Sequence, residues 1–347
     1  MTASQDSAPV DVAEVTDRAD KGPARRRQLP GGALLWVLVG LMIVGAIATQ
    51  GILIRPTNLA TVLFQSSVIG ILALAQAFVV IGRGLDLSIG ANAILCAIVV
   101  GSASATADSR GGSNFMPQLP LAVAILVGLI LGCLIGCVNG ILAGRIPVPP
   151  FIITLATYLV LVGVTFLLTG AAPVNNPDPV IIDFGEGRIG ILPYSVVVWF
   201  VCVAVVYWLL NRTKYGEMLY AVGGNETVAR LSGIRIPRVK VFAYAVAGTL
   251  AAVAGMMFLA RIGTVLPSDG GSFMLDSIAA IAVGGISLNG GVGRVRDVVY
   301  GVLIVAVAGN LMNLLGVSVY IIAAVQGLII LVAVGVNVRL SKGRQGT

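Results

Sequence analysis

The run Ala33-Leu34-Leu35-Trp36-Val37-Leu38-Val39-Gly40-Leu41-Met42-Ile43-Val44-Gly45-Ala46-Ile47-Ala48-Thr49-Gln50-Gly51-Ile52-Leu53-Ile54 carries no charged side chain and stops at Arg55-Pro56. A helix needs roughly 20 apolar residues to cross the hydrocarbon core of a bilayer, so this run reads as a span. It lacks an A-x-A cleavage site, which makes it a retained first helix and not a signal peptide. Before it, residues 1–30 are polar, mixed in charge and without apolar periodicity, and read as a disordered cytosolic tail.

The same pattern recurs down the chain. Further apolar stretches begin near Val68, Leu87, Leu119, Pro149, Leu192, Val239, Leu275, Val298 and Ser318, separated by charged or proline-containing clusters. The fold class this implies is an all-α, polytopic membrane protein of about ten transmembrane helices, with short broken helices. The domain reading is a 31–340 transmembrane domain and a 341–347 cytosolic tail. Thr57 to Ser67, with Asn58, Gln65 and Ser66, reads as an interfacial helix leading into span two. Composition agrees: 57% of residues are hydrophobic, 11% are charged, and mean hydropathy is +0.99, more apolar surface than a soluble core absorbs. The 44 glycines suit helices packed backbone to backbone in lipid.

Basic residues set the orientation, because Lys and Arg are retained on the cytoplasmic side. With the amino terminus inside, all of the 22 Lys and Arg except Arg55, Arg110, Arg188 and Arg261 fall on cytoplasmic segments. Both termini are then cytoplasmic. The net charge of +7 is a topology signal dispersed over many loops and not a nucleic-acid footprint. Histidine is absent, which excludes histidine metal sites and histidine acid/base catalysis. Cys96, Cys133, Cys137 and Cys202 all lie in apolar runs and read as packing residues. No G-x-x-x-x-G-K-[ST] occurs, so the chain has no P-loop for ATP.

Leu85-Asp86-Leu87-Ser88, opening span three, is echoed by Leu275-Asp276-Ser277, opening span eight. On the charge-derived topology these two helices run in opposite directions, the arrangement of an inverted repeat of discontinuous helices around a central path. The longest cytosolic loop, 211–240, contains Gly223-Gly224-Asn225-Glu226-Thr227-Val228-Ala229-Arg230-Leu231-Ser232-Gly233-Ile234. Asn225 to Leu231 can form two helical turns with Gly233 as a stop. Such an element is either a docking helix for a soluble partner or an ordinary solvated loop.

That loop closely resembles the coupling loop of permease subunits in the ribose-type branch of bacterial ABC sugar importers. Three more blocks agree in order. Gly84-Leu85-Asp86-Leu87-Ser88-Ile89-Gly90 is similar to the family's G-[IL]-D-L-S-x-G block. Val148-Pro149-Pro150-Phe151-Ile152-Ile153-Thr154-Leu155, through Leu168-Thr169-Gly170 and Pro173-Val174, is similar to its central block. Asp276-Ser277-Ile278-Ala279-Ala280, Gly284-Gly285-Ile286-Ser287-Leu288-Asn289-Gly290-Gly291-Val292-Gly293-Arg294 and Asn313-Leu314-Leu315-Gly316-Val317 are similar to its carboxy-terminal blocks. The resemblance covers about residues 34–338. Val162, Val292 and Arg83 depart from the pattern, where Arg, Lys and a small residue are usual.

The resemblance implies a permease in the bacterial inner membrane, working with a second permease copy or paralogue. It would stack on two cytosolic ABC ATPase subunits and receive sugar from an extracytoplasmic sugar-binding protein. The chain itself would bind no cofactor, ATP being used by the partner subunit. Coupling to the ATPase would then fall to Gly223, Gly224, Asn225, Glu226, Arg230, Leu231, Ser232 and Gly233, with Glu226 and Arg230 as exposed polar contacts. The nearest rival is a permease for branched-chain amino acids or nucleosides. A passive channel would not need the docking loop, and an intramembrane enzyme would need acidic or histidine clusters that are missing.

Candidates for the pathway or its gate are Gln65, Asp86, Asn92, Thr154, Asp276, Asn310 and Asn313, drawn from an intramembrane polar supply that also includes Gln76, Asn139, Thr157 and Gln326. Each of Asp86 and Asp276 is placed either to cap a helix start or to gate or contact substrate. The amides and hydroxyls either join helices or face the path. No chain of intramembrane charges supports proton or ion coupling.

Overall fold

The computed structural model describes residues 31–105, 115–175, 177–190, 192–318 and 320–325, with positions 327, 328, 331 and 335. The two expected tails, Arg110 and Gln326 lie outside the described residues. The chain order is α1 (Gly31–Ala48), α2 (Pro56–Ile81), α3 (Ile89–Ser104), α4 (Leu121–Arg145), α5 (Pro150–Thr169), α6 (Pro179–Glu186), α7 (Tyr194–Asn211), α8 (Lys214–Gly224), α9 (Glu226–Leu231), α10 (Ile236–Ile262), α11 (Gly270–Val283) and α12 (Val295–Leu314). Four two-residue strands form two antiparallel pairs: β1 (Val174–Asn175) with β4 (Thr264–Val265), and β2 (Arg188–Ile189) with β3 (Leu192–Pro193).

Nine of the ten expected apolar segments are apolar helices, and six of these, α2, α4, α5, α7, α10 and α12, are long and apolar enough to cross a membrane. At the tenth, residues 320–325 are helical. Helix ends follow local chemistry. Proline opens α2, α5 and α10 in the first turn, where its missing N–H has no intrahelical partner to lose. Left-handed Gly170 and Gly263 close α5 and α10. The separate interfacial helix expected over Thr57–Ser67 does not occur, because α2 runs unbroken from Pro56 to Ile81. No proline interrupts it, and the Ser67 hydroxyl donates back to the Phe64 carbonyl at 2.6 Å, so the polar stretch is satisfied inside the helix.

The core is built on α2, α3 and α10. Every residue of α3 is buried, as is nearly all of α2 beyond Gln65. Around them α1, α4, α5 and α7 expose large apolar side chains, with Trp36 74% and Leu167 83% accessible. Exposed apolar surface on this scale suits lipid and not water.

The most extensive helix pairing is α4 on α10, and glycine sets its spacing. Gly128, Gly132, Gly136, Gly140 and Gly144 recur every fourth residue and so line one face of α4. A Cβ on Gly136 would lie 2.1 Å from the Tyr244 carbonyl oxygen, and one on Gly140 would lie 2.5 Å from the Val241 Cα. Without a hydrophobic force between helices in lipid, such backbone approach supplies the packing. Gly136→Val is therefore expected to lower the melting temperature of the detergent-purified chain, at a cost of about 1–3 kcal/mol for overpacking. Gly163→Ala, with nothing within 4 Å of its added Cβ, should leave it unchanged.

Helices α3 and α11 have 16 and 14 residues, which reach roughly 24 and 21 Å against a hydrocarbon core of about 30 Å. Their first turns meet: a Cβ on Gly90 would fall 2.0 Å from the Gly270 carbonyl oxygen. On the charge-derived topology they point to opposite sides, as paired half-helices do. The register of the sequence echo is wrong, however. Asp86 precedes α3 in the connection from α2, whereas Asp276 sits in the middle of α11 and not at its start. The structural counterpart of Gly90 is thus Gly270, and Asp276 cannot cap its helix.

Candidate functional site

On the cytosolic side of that topology, Thr213 caps α8, its hydroxyl accepting from the Gly216 N–H at 3.3 Å. Gly223 and Gly224 are the last residues of α8 and not a free turn. Asn225 is extended, and its side-chain oxygen accepts from the N–H groups of Thr227 and Val228 at 2.9 and 3.2 Å, which starts α9. Gly233, at φ 83°, stops it. The two-turn helix expected over Asn225–Leu231 is present, with Asn225 as its cap.

Its outward face differs from expectation. Glu226 is not a free surface charge: its carboxylate lies 2.8 Å from the Lys240 ammonium on α10, with the two side chains 31% and 10% exposed. What α9 presents outward is Val228, Arg230 and Leu231, the last 83% accessible. Beside it an open cleft of about 1250 Å³ runs between α9, the α4–α5 connection and the start of α10, with Arg83, Arg145, Arg230, Arg235 and Arg238 on its walls.

The other end of α8 is wired to the half-helices. Gly223 packs on the Ile81 carbonyl, from which a Cβ would lie 1.8 Å. The same carbonyl accepts from the Gly291 N–H at 2.9 Å, and the Tyr220 hydroxyl donates to the Gly293 carbonyl at 2.8 Å. Burial pushes the Tyr220 phenol up, with Asp297 adding to the rise and Arg294 opposing it, so it stays a donor. Gly290, at φ 83°, rests on Arg83, itself left-handed at φ 61°. Gly223, two residues before the cap of α9, thus sits against both the end of α2 and the connection leaving α11.

Four of the seven polar pathway candidates are occupied by structural work. Asp86 Oδ1 accepts from the Ser88 N–H at 2.9 Å and the Ser88 hydroxyl at 2.6 Å. Ser88 Oγ accepts from Asn139 at 2.8 Å, and Asn139 accepts from the Thr157 hydroxyl at 2.7 Å. Thr154 accepts from the Leu87 N–H at 3.1 Å and donates to the Leu85 carbonyl at 3.0 Å. Together these bonds pin the 82–88 connection to α4 and α5. Asn92 donates to the Gly132 carbonyl at 3.4 Å and accepts from the Cys96 thiol. Asn310 exchanges two amide bonds with Asn58, at 2.9 and 3.1 Å.

The remaining three, Gln65, Asp276 and Asn313, come together on the wall of one cavity of about 430 Å³ between α2, α10, α11 and α12. Phe64, Arg261 and Phe273 line it too. Sequence reasoning missed these three as site residues. The only available signal was that Arg261 is one of four basic residues on the outer side, and orientation alone accounted for it.

The chain matches, over residues 58–334, the family model described as branched-chain amino acid transport system / permease component. The ribose import permease of Bacillus subtilis is 38% identical over 284 residues, which span 81% of this chain and 84% of that protein. The galactose/methyl galactoside import permease of Escherichia coli is 33% identical over 317 residues, 88% of this chain and 93% of that one. The fructose import permease of Rhizobium meliloti is 32% identical over 316 residues, 89% and 85% respectively. No solved structure matches the chain.

Proposed function

The chain belongs to the family of transport-system permease components, and we propose that it is the transmembrane subunit of an ATP-binding-cassette importer for a monosaccharide, a ribose-like pentose or a hexose. The observation that carries this reading is the wiring of α9: a capped helix with an outward apolar edge, joined through Gly223 to the end of α2, which leads toward α3, and to the connection leaving α11. A pore that opened on its own would have no use for it. Similarity to ribose, galactose and fructose import permeases supports the substrate class. In this reading a separate cytosolic ATPase hydrolyses ATP, this chain holding no cofactor. An extracytoplasmic binding protein delivers the sugar, and a second permease copy or paralogue completes the path. The chain sits in the bacterial inner membrane with both termini cytoplasmic, as its basic-residue asymmetry supports.

The family description itself names branched-chain amino acids, which keeps that substrate class as the second reading. Identifying the ligand of the binding protein that co-purifies with the complex decides between them.

Leu231→Asp tests the docking role, because it puts a charge where an apolar side chain is 83% exposed and costs the isolated chain little. Recovery of the ATPase subunit with the tagged chain is expected to fall at least about tenfold, the scale of losing one central apolar anchor. Full recovery with undiminished uptake would remove α9 from the interface.

A further inference from the structure

We infer that the cavity between α2, α10, α11 and α12 is the place where this chain itself holds the sugar during passage, with Asp276, Gln65 and Asn313 as its hydrogen-bonding residues. The inference rests on the sugar-importer reading and adds a site to it.

The first observation is a carboxylate with nothing to do. Asp276 projects from the middle of α11, far from either helix end, and among the described residues it has neither a hydrogen-bond nor an ion-pair partner. Asp86, by contrast, is fully engaged by Ser88. A carboxylate in an apolar span is costly and is kept for function. The second observation is convergence. Gln65 from α2 and Asn313 from α12 line the same cavity, and neither side chain bonds another described residue. The Asn58–Asn310 pair one turn away shows what these amides do when their task is to join helices.

The chemistry of the walls then selects the ligand class. A carboxylate and two amides offer planar acceptors and donors in number, which suits a polyol whose every carbon bears a hydroxyl. The apolar side is aromatic: Phe258 and Phe273 meet edge to face with centroids 4.9 Å apart, and Phe64 lies 5.7 Å beneath the Arg261 guanidinium. The quadrupole of Phe64 attracts that cation, and the aromatic side chains give the cavity an apolar side that suits the C–H face of a sugar. About 430 Å³ falls in the range of small-molecule sites, with room for a monosaccharide and some water but not a large oligosaccharide. A site of hydrogen bonds without a permanent ion pair also suits transport, since a hold that is too tight would stop release.

The test is uptake into proteoliposomes containing the chain with its own ATPase and binding protein. The solutes are radiolabelled D-ribose, D-galactose, D-fructose and L-leucine, with binding-protein-stimulated ATP hydrolysis read in parallel. Wild type is expected to accumulate at least one of the sugars. For that sugar, Asp276→Asn and Gln65→Ala should each lower uptake about tenfold or more, as loss of a designed partner for a hydroxyl does. ATP hydrolysis should stay within about twofold, because neither side chain bonds another described residue. Wild type moving none of the three sugars, or only leucine, overturns the importer reading and this site with it. Wild-type sugar uptake that both variants retain overturns the site alone. So does a loss of hydrolysis in parallel with uptake in both, which would make these side chains structural.

Discussion

Gly223→Val is expected to abolish uptake, whereas Gly224→Ala, one residue on, should leave it within about twofold. The two glycines end the same helix and differ only in what surrounds them. A Cβ on Gly223 would lie 1.8 Å from the Ile81 carbonyl oxygen and 2.5 Å from the Gly291 nitrogen; one on Gly224 would meet nothing within 4 Å. Both obstacles at Gly223 are backbone, so no rotamer change relieves them. Either α8 lifts away from the end of α2 and the connection leaving α11, or those two segments part from each other and the bond from Gly291 to Ile81 is lost. Overpacking of this kind costs about 1–3 kcal/mol, and here it falls on the contact through which α9 reaches the half-helices. Uptake in proteoliposomes checks the prediction, with recovery of the ATPase subunit alongside. Undiminished uptake by Gly223→Val would show that movement of α8 is not passed on at this contact.

The second large effect is expected at Asp86, and it is an effect on stability. Asp86→Ala leaves the Ser88 N–H and hydroxyl without their acceptor in a buried segment, at about 1–3 kcal/mol for each group left unpaired. The damage spreads, because Ser88 Oγ also holds Asn139, which in turn holds Thr157. A melting temperature lower by about 5 °C or more is expected for the detergent-purified chain. Asp86→Asn keeps one side-chain oxygen as acceptor and should lose clearly less. If Asp86→Ala instead melts with wild type but transports nothing, the carboxylate belongs to the path and not to the scaffold. Asp276→Asn should behave in the opposite way, stable but impaired in uptake.

That contrast shows where sequence reading reaches its limit. Asp86 and Asp276 look alike in one dimension, each preceded by leucine in an apolar run and each close to a serine. Capping and pathway contact were open for both. The hydrogen bonds of Ser88 separate them, together with the placement of Asp276 at mid-helix, and neither follows from spacing alone. Glu226 was misjudged for the same reason. Its exposure depended on Lys240, fourteen positions away on another helix, and no local pattern announces a tertiary ion pair. The supposed interfacial helix at Thr57–Ser67 failed differently. Polar residues suggest a boundary, yet serine and asparagine continue a helix when a carbonyl or a partner amide accepts from them.

What the sequence determined by itself was the class of molecule, the places of its apolar helices and the short helix between Asn225 and Leu231. Each rests on a local property: runs long enough to cross lipid, and a short run of helix formers stopped by a glycine. The tertiary structure decided which polar residues are free. Burial makes every polar group find a partner or pay for lacking one, and whether Thr154, Asn92 or Asn310 meets that partner depends on helices brought together across the fold. Only after those bonds are assigned do Gln65, Asp276 and Asn313 stand apart, around one cavity, with no described partner of their own.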